Sequence, residues 1–479
     1  MKLALVNVFE DEKHPPMGLV SIATYLKEYM GLKETKIIDA TWENVSKGVF
    51  KEKFDVIGIS SMTAYYDRAV RLAKLIKEKR KDVVVIMGGI HISTLPECLT
   101  KDMNIGVAGE GEETALELMK LYEKEGKFDP RKLRRIKGLV FWDKGKLVKT
   151  EKRELIKDLD TIPMKDLSFL DRRYFMKRWV SWNEKDGKET LLMTERGCPF
   201  SCKFCSTKLF WQRVRFHSLD YVMREIKDRI EKYGIDHFQI TDDTFVIDKE
   251  RLKKLAKLLE KEGLKGKIAF SCQPRANLMD DEMMKILKDL NIRSMNFGFE
   301  SGSERMLNWL KGGNVTVEDN KKACLLGKKY GIKVYGSFIF GSPGETIEDM
   351  KETLGLIKFM YDNGAYKLWH FVMTPFPGTL IWQIAKERGK VSDDMDWTLL
   401  RHENYKVPLL LDDTIPLEEF QKVYFRAREI CDKNWMGKSG WIEKTLRHDP
   451  KRLIRKAVQD PKRALNAVKV IAKKRFGKK

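Results

Sequence analysis

Cys198, Cys202 and Cys205 fall within eight residues, spaced C-x3-C-x2-C, and the other four of the seven cysteines stand far from them and from one another. Thiolates are soft ligands that suit iron–sulfur clusters and zinc. Three of them leave a four-iron cluster with one iron not held by protein. An iron with an open position can chelate a small molecule and pass it an electron. The alternative is a structural zinc site, which needs four tight ligands. His217, twelve residues beyond Cys205, is the nearest side chain that would complete such a set.

The flanking segments bear on that choice. Thr190-Leu-Leu-Met-Thr194 reads as a strand before the cysteines; a helix over 219–233 and a second strand follow them. That is a strand–loop–helix start and not a small knuckle. Gly197 and Pro199 constrain the loop between. This spacing, followed by a long α/β region, resembles the radical S-adenosylmethionine (radical SAM) superfamily. The resemblance implies a [4Fe-4S] cluster on Cys198, Cys202 and Cys205, with S-adenosylmethionine (SAM) chelated to the open iron through its amino and carboxylate groups. Reductive cleavage would then give a 5′-deoxyadenosyl radical that takes hydrogen from the substrate. Phe204 matches the aromatic that the family usually places beside the adenine.

Residues 190–390 alternate in a way that would position such a site. Strands are expected near 190–194, 236–241, 267–271, 294–299, 333–339 and 367–373, with helices at 219–233, 249–261, 280–289, 316–330 and 346–362. Six such units suit a partial (β/α)6 barrel, with reactive residues where strands meet the following loops. After the second strand, Asp242 and Asp243 stand where many members have Gly-Gly-Glu, a position that meets the SAM amino group and ribose. After the third, the Arg275 guanidinium is a candidate partner for the SAM carboxylate, or a member of a structural ion pair. Glu300 and Ser301 end the fourth strand, where the resemblance implies contact with ribose or the methionine group. Ile339 and Gly341 fit the adenine-contacting Gly-x-Ile-x-Gly pattern, with Ser337 replacing its first glycine. Tyr335, His370 and Tyr405 are aromatic or titratable side chains of the barrel region, for which packing is the expected role.

Residues 1–125 also alternate strand and helix, and their apolar strands argue a doubly wound parallel sheet, on which ligands bind at the carboxyl ends of the strands. A parallel sheet before a radical SAM barrel resembles the cobalamin-binding subclass. Ser60-Ser-Met-Thr63, with Ser61 and Met62 inside it, occupies the place of that domain's Ser-x-Leu-like turn. Gly88-Gly89 occupies that of its Gly-Gly turn, and Gly109-Glu110-Gly111 follows the next strand. Small residues let backbone approach the corrin and its nucleotide tail. The lower-ligand motif Asp-x-His-x-x-Gly is matched only loosely by Glu12-Lys-His14-Pro-Pro-Met-Gly18, off by a residue and an acid type, so His14 is not the expected cobalt ligand.

The fold expected is therefore α/β: a cobalamin-binding-like domain over 1–125, a hairpin and linker over 126–189, the barrel over 190–390 and a helical, basic region over 391–479. The resemblance covers about residues 1–400. The net charge is +22, which favours anionic partners such as phospholipid headgroups. The abundance of Lys and Glu with little Gln also matches a hyperthermophile bias. Two helix starts at Asp449-Pro450 and Asp460-Pro461 open basic amphipathic stretches that either pack on the barrel or meet a membrane surface. No apolar run is long enough for a membrane span, and the N-terminus reads as a strand, so a cytoplasmic enzyme, peripheral to the membrane at most, is expected.

The function implied is reductive SAM cleavage followed by modification of an unactivated carbon, foremost cobalamin-dependent methylation of a small molecule or lipid. The partners are that substrate and an external electron donor such as flavodoxin or ferredoxin. Cyclisation or carbon–carbon coupling without cobalamin is the alternative. An RNA-modifying methylthiotransferase would need a second cysteine set, where only Cys98 is present, and no nucleic acid is expected. A plain iron–sulfur electron carrier would not need the barrel.

Overall fold

The computed structural model describes residues 1–176, 187–401, 408–411 and 414–438. The chain forms two compact units. Of the described residues, the first comprises 1–176, 188–269, 373–401 and 408–411, and the second 187, 270–372 and 414–438.

The first unit is built on the apolar runs read from the sequence. β1 (Leu3–Asn7), β2 (Thr35–Asp39), β3 (Val56–Ser60), β4 (Val84–Gly88) and β5 (Ile105–Val107) pair in parallel in the order β2-β1-β3-β4-β5. Side chains alternate across a strand, so Leu3 and Leu5 go to one face of the sheet and Ala4 and Val6 to the other, all four buried. On the first face Leu3 and Leu5 share a core with Leu19, Ala23 and Leu26 of helix Met17–Met30 and with Leu118 and Met119 of helix Glu112–Glu125. Each leucine buried this way contributes about 2 kcal/mol over an exposed one.

The hairpin expected in the linker belongs to this sheet. β6 (Leu139–Asp143) pairs antiparallel with β5, and β7 (Lys146–Lys149) pairs antiparallel with β6 as the edge. Phe141 and Leu139 join the same core. The following stretch packs too, since Ile156, Leu159 and Ile162 form a small buried cluster and Leu167, Leu170, Tyr174 and Phe175 are buried. Burial of these side chains, not a length of exposed chain, is what the run up to residue 176 provides.

Within the first unit, strand Glu189–Leu192 pairs in parallel with strand His237–Ile240. Helix Leu219–Tyr233 connects them, its first turn capped by Ser218, which accepts from Tyr221 N. Segment 373–411 belongs to the first unit as well: Arg401 donates to Ala64 O and pairs with Asp67 at 2.8 Å.

The second unit carries the remaining expected strands. Ala269–Cys272, Ile292–Glu300, Lys333–Phe340 and Lys367–Val372 pair in parallel in that order. Helices Asp281–Asp289, Glu304–Lys311, Val317–Tyr330 and Ile347–Asp362 intervene. The last two start with Thr-x-x-Asp capping boxes, at Thr316 and Thr346. Helix Leu417–Lys438 closes the described chain, so the Asp449 and Asp460 helix starts lie outside the described residues. Among the described residues no helix is long and apolar enough to cross a membrane.

Candidate active site

The cysteine loop leaves strand Glu189–Leu192 through Glu195 and Arg196, which pair antiparallel with Arg215 and Phe216. Gly197 then takes φ 107°, where a Cβ would lie 2.4 Å from the Arg213 carbonyl oxygen. Only glycine makes that turn. Cys198, Cys202 and Cys205 follow, half-buried and outside any disulfide, with Phe204 half-buried among them. Cys198 Sγ lies 3.1 Å from Thr244 Oγ1, and Cys205 N donates to Cys202 O. Three cysteines outside any disulfide on one short loop suit a cluster, because each would bind a different iron and need not converge on one point. Among the described residues no three His, Cys, Asp or Glu side chains surround a single ion position. The zinc alternative loses its fourth ligand: His217 is buried, stacked on Tyr221 at 4.0 Å, with Nδ1 at 3.3 Å from Asp160.

Asp242 and Asp243, adjacent in sequence and both raised in pKa by burial, differ in how their oxygens are satisfied. Asp242 is 1% exposed. One of its oxygens accepts from Thr194 N at 2.6 Å and Glu195 N at 3.2 Å, and the other bonds the Thr194 hydroxyl. Asp242 therefore secures the end of the neighbouring strand, and the ligand contact expected for it gives way to that structural role. Asp243 accepts from Thr207 at 3.1 Å through Oδ1, and the Gly197 N–H donates to its carboxylate. Its Oδ2 is buried with no partner. Burial holds the Asp243 carboxyl above its ordinary pKa. A buried, unsatisfied carboxylate oxygen beside the cysteine loop is a place for a cationic donor. Glu195 escaped the sequence reading: burial and the charge of Asp242 hold its carboxyl up, and its Oε1 is unpartnered.

A cavity of about 320 Å³ opens at the carboxyl ends of β3, β4 and β5. Of the candidate turn residues, Ser60, Gly88, Gly89, Gly109, Glu110 and Gly111 border it. Ser61, Met62 and Thr63 do not. Ser61 and Thr63 are buried, Ser61 Oγ donating to Met62 O, and Met62 is exposed. A Cβ on Gly88 or Gly109 would meet nothing within 4 Å, so both leave room for an occupant. Leu3, Leu5, Leu19 and Leu118 make part of the wall apolar, while Arg196, Phe210 and Trp211 from either side of the cysteines border it elsewhere. Glycines that leave open space, above an apolar slot, fit a large planar cofactor with an aromatic tail. His14 is not on this wall; it is exposed and bonded through Nδ1 to Asp11 at 2.7 Å.

Buried ion pairs tie that cavity to the cysteine loop. Arg196 bonds Glu110 and Glu112, each at 2.7 Å, and Arg215 bonds Glu110 at 2.9 Å. Glu110 also accepts from Ile156 N, and Ser21 donates to Glu112. Glu110 thus spends its oxygens on protein partners, although the sequence reading made it a cofactor contact. The arginines could have been suspected only as cations flanking a motif, a signal too common to single them out.

In the second unit, Glu300 ends its strand at φ 62°, an unfavourable region for a side-chain-bearing residue. Its carboxylate pairs with Lys311 at 3.1 Å; Lys311 also donates to Gly298 O, and Arg275 donates to Lys311 O. Arg275 and Glu300 therefore belong to one local cluster. Ser301 does not, being fully buried against Thr353 Oγ1. Ile339 is half-buried. Tyr335 is buried and stacked on Trp369 at 5.7 Å, as packing predicts. His370 makes an edge contact with Tyr424, and Tyr405 lies outside the described residues.

Glu345 holds the turn after Ile339, its Oε2 accepting from Gly341 N and Ser342 N. Burial holds its carboxyl up at about 8, against an ordinary 4.5. The folded chain keeps a proton that the unfolded chain releases, so this contribution to stability is full below 4.5 and is lost as pH rises through about 8. Glu345→Gln keeps an acceptor oxygen and cannot ionise. Its melting temperature, measured from about pH 5 to 8, is expected to gain on the unsubstituted chain as pH rises; a constant difference would refute this.

The family model of the Radical SAM superfamily matches residues 193–357, and that of the B12 binding domain matches residues 4–119. The chain is 32% identical over 380 residues to the uncharacterized methyltransferase PH0819 of Pyrococcus horikoshii, covering 78% of each. It is 26% identical over 392 residues to the anaerobic magnesium-protoporphyrin IX monomethyl ester cyclase of Cereibacter sphaeroides, covering 79% of this chain and 61% of the cyclase. Its fold is similar to that of the cobalamin-dependent S-adenosylmethionine radical enzyme OxsB, solved with aqua-cobalamin and S-adenosylmethionine bound. The TM-score is 0.69 at 18% identity, over 91% of this chain and 72% of that one.

Proposed function

We propose, for a chain that belongs to the radical SAM superfamily and to its subclass with a B12 binding domain, cobalamin-dependent methylation of an unactivated carbon in a small-molecule substrate. When bound, the [4Fe-4S] cluster with SAM would supply a 5′-deoxyadenosyl radical, and cobalamin a transferable methyl group. The observation that carries this reading is the cavity, whose glycine rim lies at the strand ends and whose wall includes residues from both flanks of the cysteine loop. Cys198, Cys202 and Cys205 are the ligands we assign to the cluster, with Phe204 beside the adenine. Asp243 Oδ2 is the acceptor we assign to the SAM amino group. Arg275, Glu300, Ile339 and Gly341 remain candidates by the resemblance to the family alone.

The test is anaerobic purification with cobalamin supplied, then analysis of products from SAM carrying a labelled methyl group. Corrinoid absorbance, 5′-deoxyadenosine and methyl label in the product are expected together. Deoxyadenosine without bound corrinoid would replace methylation with radical cyclisation or coupling, the second reading, which the similarity to a cyclase favours. No SAM cleavage at all would leave an electron carrier.

Asp243→Asn is expected to weaken SAM binding by about tenfold or more, since a hydrogen bond to a charged group is worth roughly 1.5–3 kcal/mol. Titration calorimetry on the cluster-loaded protein reads this directly. Asp242→Asn should instead lower the melting temperature. Equal SAM affinity in Asp243→Asn and the unsubstituted chain would remove Asp243 from the site.

For the substrate we propose a lipid drawn from an anionic membrane, supported by the +22 charge. Residues 439–479, which carry the basic stretches, lie outside the described residues. For the electron donor we propose a small acidic protein of the flavodoxin or ferredoxin kind, supported by Lys203 and Lys208 in and beside the cysteine loop. Low-salt vesicle flotation and salt-dependent reduction rates test these two in turn.

A further inference from the structure

Lys165 lies between β7 and strand Glu189–Leu192, in a stretch where nothing in the sequence marks a ligand. It is 5% exposed and forms part of the cavity wall. The other charged side chains on that wall are matched. Arg196 and Ser21 satisfy Glu112, while Arg196 and Arg215 satisfy Glu110. Nearby Arg229 pairs with Glu225 at 3.1 Å and Asp228 at 2.8 Å, and donates to the Lys165 carbonyl, fixing the backbone there. Among the described residues no hydrogen bond or ion pair reaches the Lys165 ammonium. Burial accordingly holds its pKa below the ordinary lysine value, the charge of Glu225 opposing that pull.

An ammonium on a buried side chain, with no hydrogen-bond or ion-pair partner among the described residues, is costly. A lysine has a flexible stem that would reach water from most positions; here the side chain stays buried and the residue lines a cavity. The neighbouring wall is apolar, at Leu3, Leu5, Leu19 and Leu118. An occupant must therefore offer an apolar ring for the slot and an anionic oxygen for the ammonium. The nucleotide arm of a cobalamin carries both, an aromatic base and a phosphodiester. We propose that Lys165 binds the phosphodiester of the corrinoid's nucleotide arm. The inference rests on the cobalamin reading above.

The experiment measures equilibrium binding of two probes to the full, cluster-loaded chain. Hydroxocobalamin has the nucleotide arm, and cobinamide lacks it together with its phosphodiester. Lys165→Met keeps the stem and removes the charge; Lys165→Arg keeps the charge. Lys165→Met is expected to lose about tenfold or more in cobalamin affinity with cobinamide affinity unchanged, and Lys165→Arg to recover most of the loss. The melting temperature of corrinoid-free Lys165→Met is expected not to fall, because the substitution removes an unpaired buried charge. Unchanged cobalamin affinity in Lys165→Met overturns the inference and leaves the cobalamin reading standing. Equal losses for both probes overturn it too, placing Lys165 against the corrin ring. A fall in melting temperature without selective loss of cobalamin makes Lys165 structural. If the unsubstituted chain takes up neither probe, the cobalamin reading itself falls.

Discussion

Alanine at Cys198, Cys202 or Cys205 is expected to remove the iron–sulfur chromophore and lower 5′-deoxyadenosine formation by about three orders of magnitude or more, a barrier increase of roughly 4 kcal/mol. Each thiol is proposed to bind a different iron, so no neighbour can substitute for it. The three lie on one loop held at its start by Gly197 and beside its end by the Thr207–Asp243 bond. They are half-buried and outside any disulfide, and none is a core residue whose truncation would open a large cavity. The fold should therefore survive, with circular dichroism unchanged while iron content drops. A variant lacking all three thiols that still assembled a full cluster and cleaved SAM would refute the assignment. Loss of secondary structure alongside iron would instead make the cysteines fold determinants.

Gly88→Trp is expected to abolish corrinoid uptake while cluster assembly continues. Gly88 ends β4 on the cavity rim, and a Cβ there would meet nothing within 4 Å. The substituted backbone is thus unstrained, and the indole would extend toward open space where an occupant is needed. Its neighbour gives the contrast. Gly89 takes φ 95°, and a Cβ would lie 2.6 Å from Ser61 O, so even Gly89→Ala should cost about 1–3 kcal/mol of stability. Absorbance titration with cobalamin separates the two. Gly88→Trp should be stable and corrinoid-free, Gly89→Ala destabilised whether or not corrinoid is added. Normal cobalamin binding by Gly88→Trp would move the cofactor away from this rim.

Much of this was legible beforehand. The apolar strands β1 and β3 to β5 announce themselves because both faces are buried, and the six later strands and their helices follow the expected alternation. The cysteine loop is legible from spacing alone. The roles of Asp242 and Asp243 were not, because two adjacent carboxylates look alike until the backbone turns one into the strand end and the other toward the cysteine loop. Glu110 looked like part of a glycine-rich turn; its partners Arg196 and Arg215 are more than 80 residues away in sequence, a separation no local pattern reveals. The β6–β7 hairpin was recognised as a hairpin, but its membership in the first sheet depends on pairing with β5, which is a property of the fold. Lys165 is invisible in sequence for the same reason: a lysine among many becomes informative only when burial leaves it alone.

The arginine bridge from the cysteine loop to Glu110 and Glu112 bears on whether the N-terminal region is a portable module. Residues 1–125 look like a cassette that could be cut out and grafted elsewhere. Excision would strip Glu110 of Arg196 and Arg215 and Glu112 of Arg196, and breaking a buried pair costs roughly 3–5 kcal/mol by removal of one member. β5 would also lose β6, exposing a hydrophobic edge open to aggregation. A fragment intended to carry the cofactor cavity alone must therefore extend through the cysteine loop to at least Arg215, so that the portion of chain able to travel as one piece is set by charge neutralisation and not by the visible end of the strand–helix alternation.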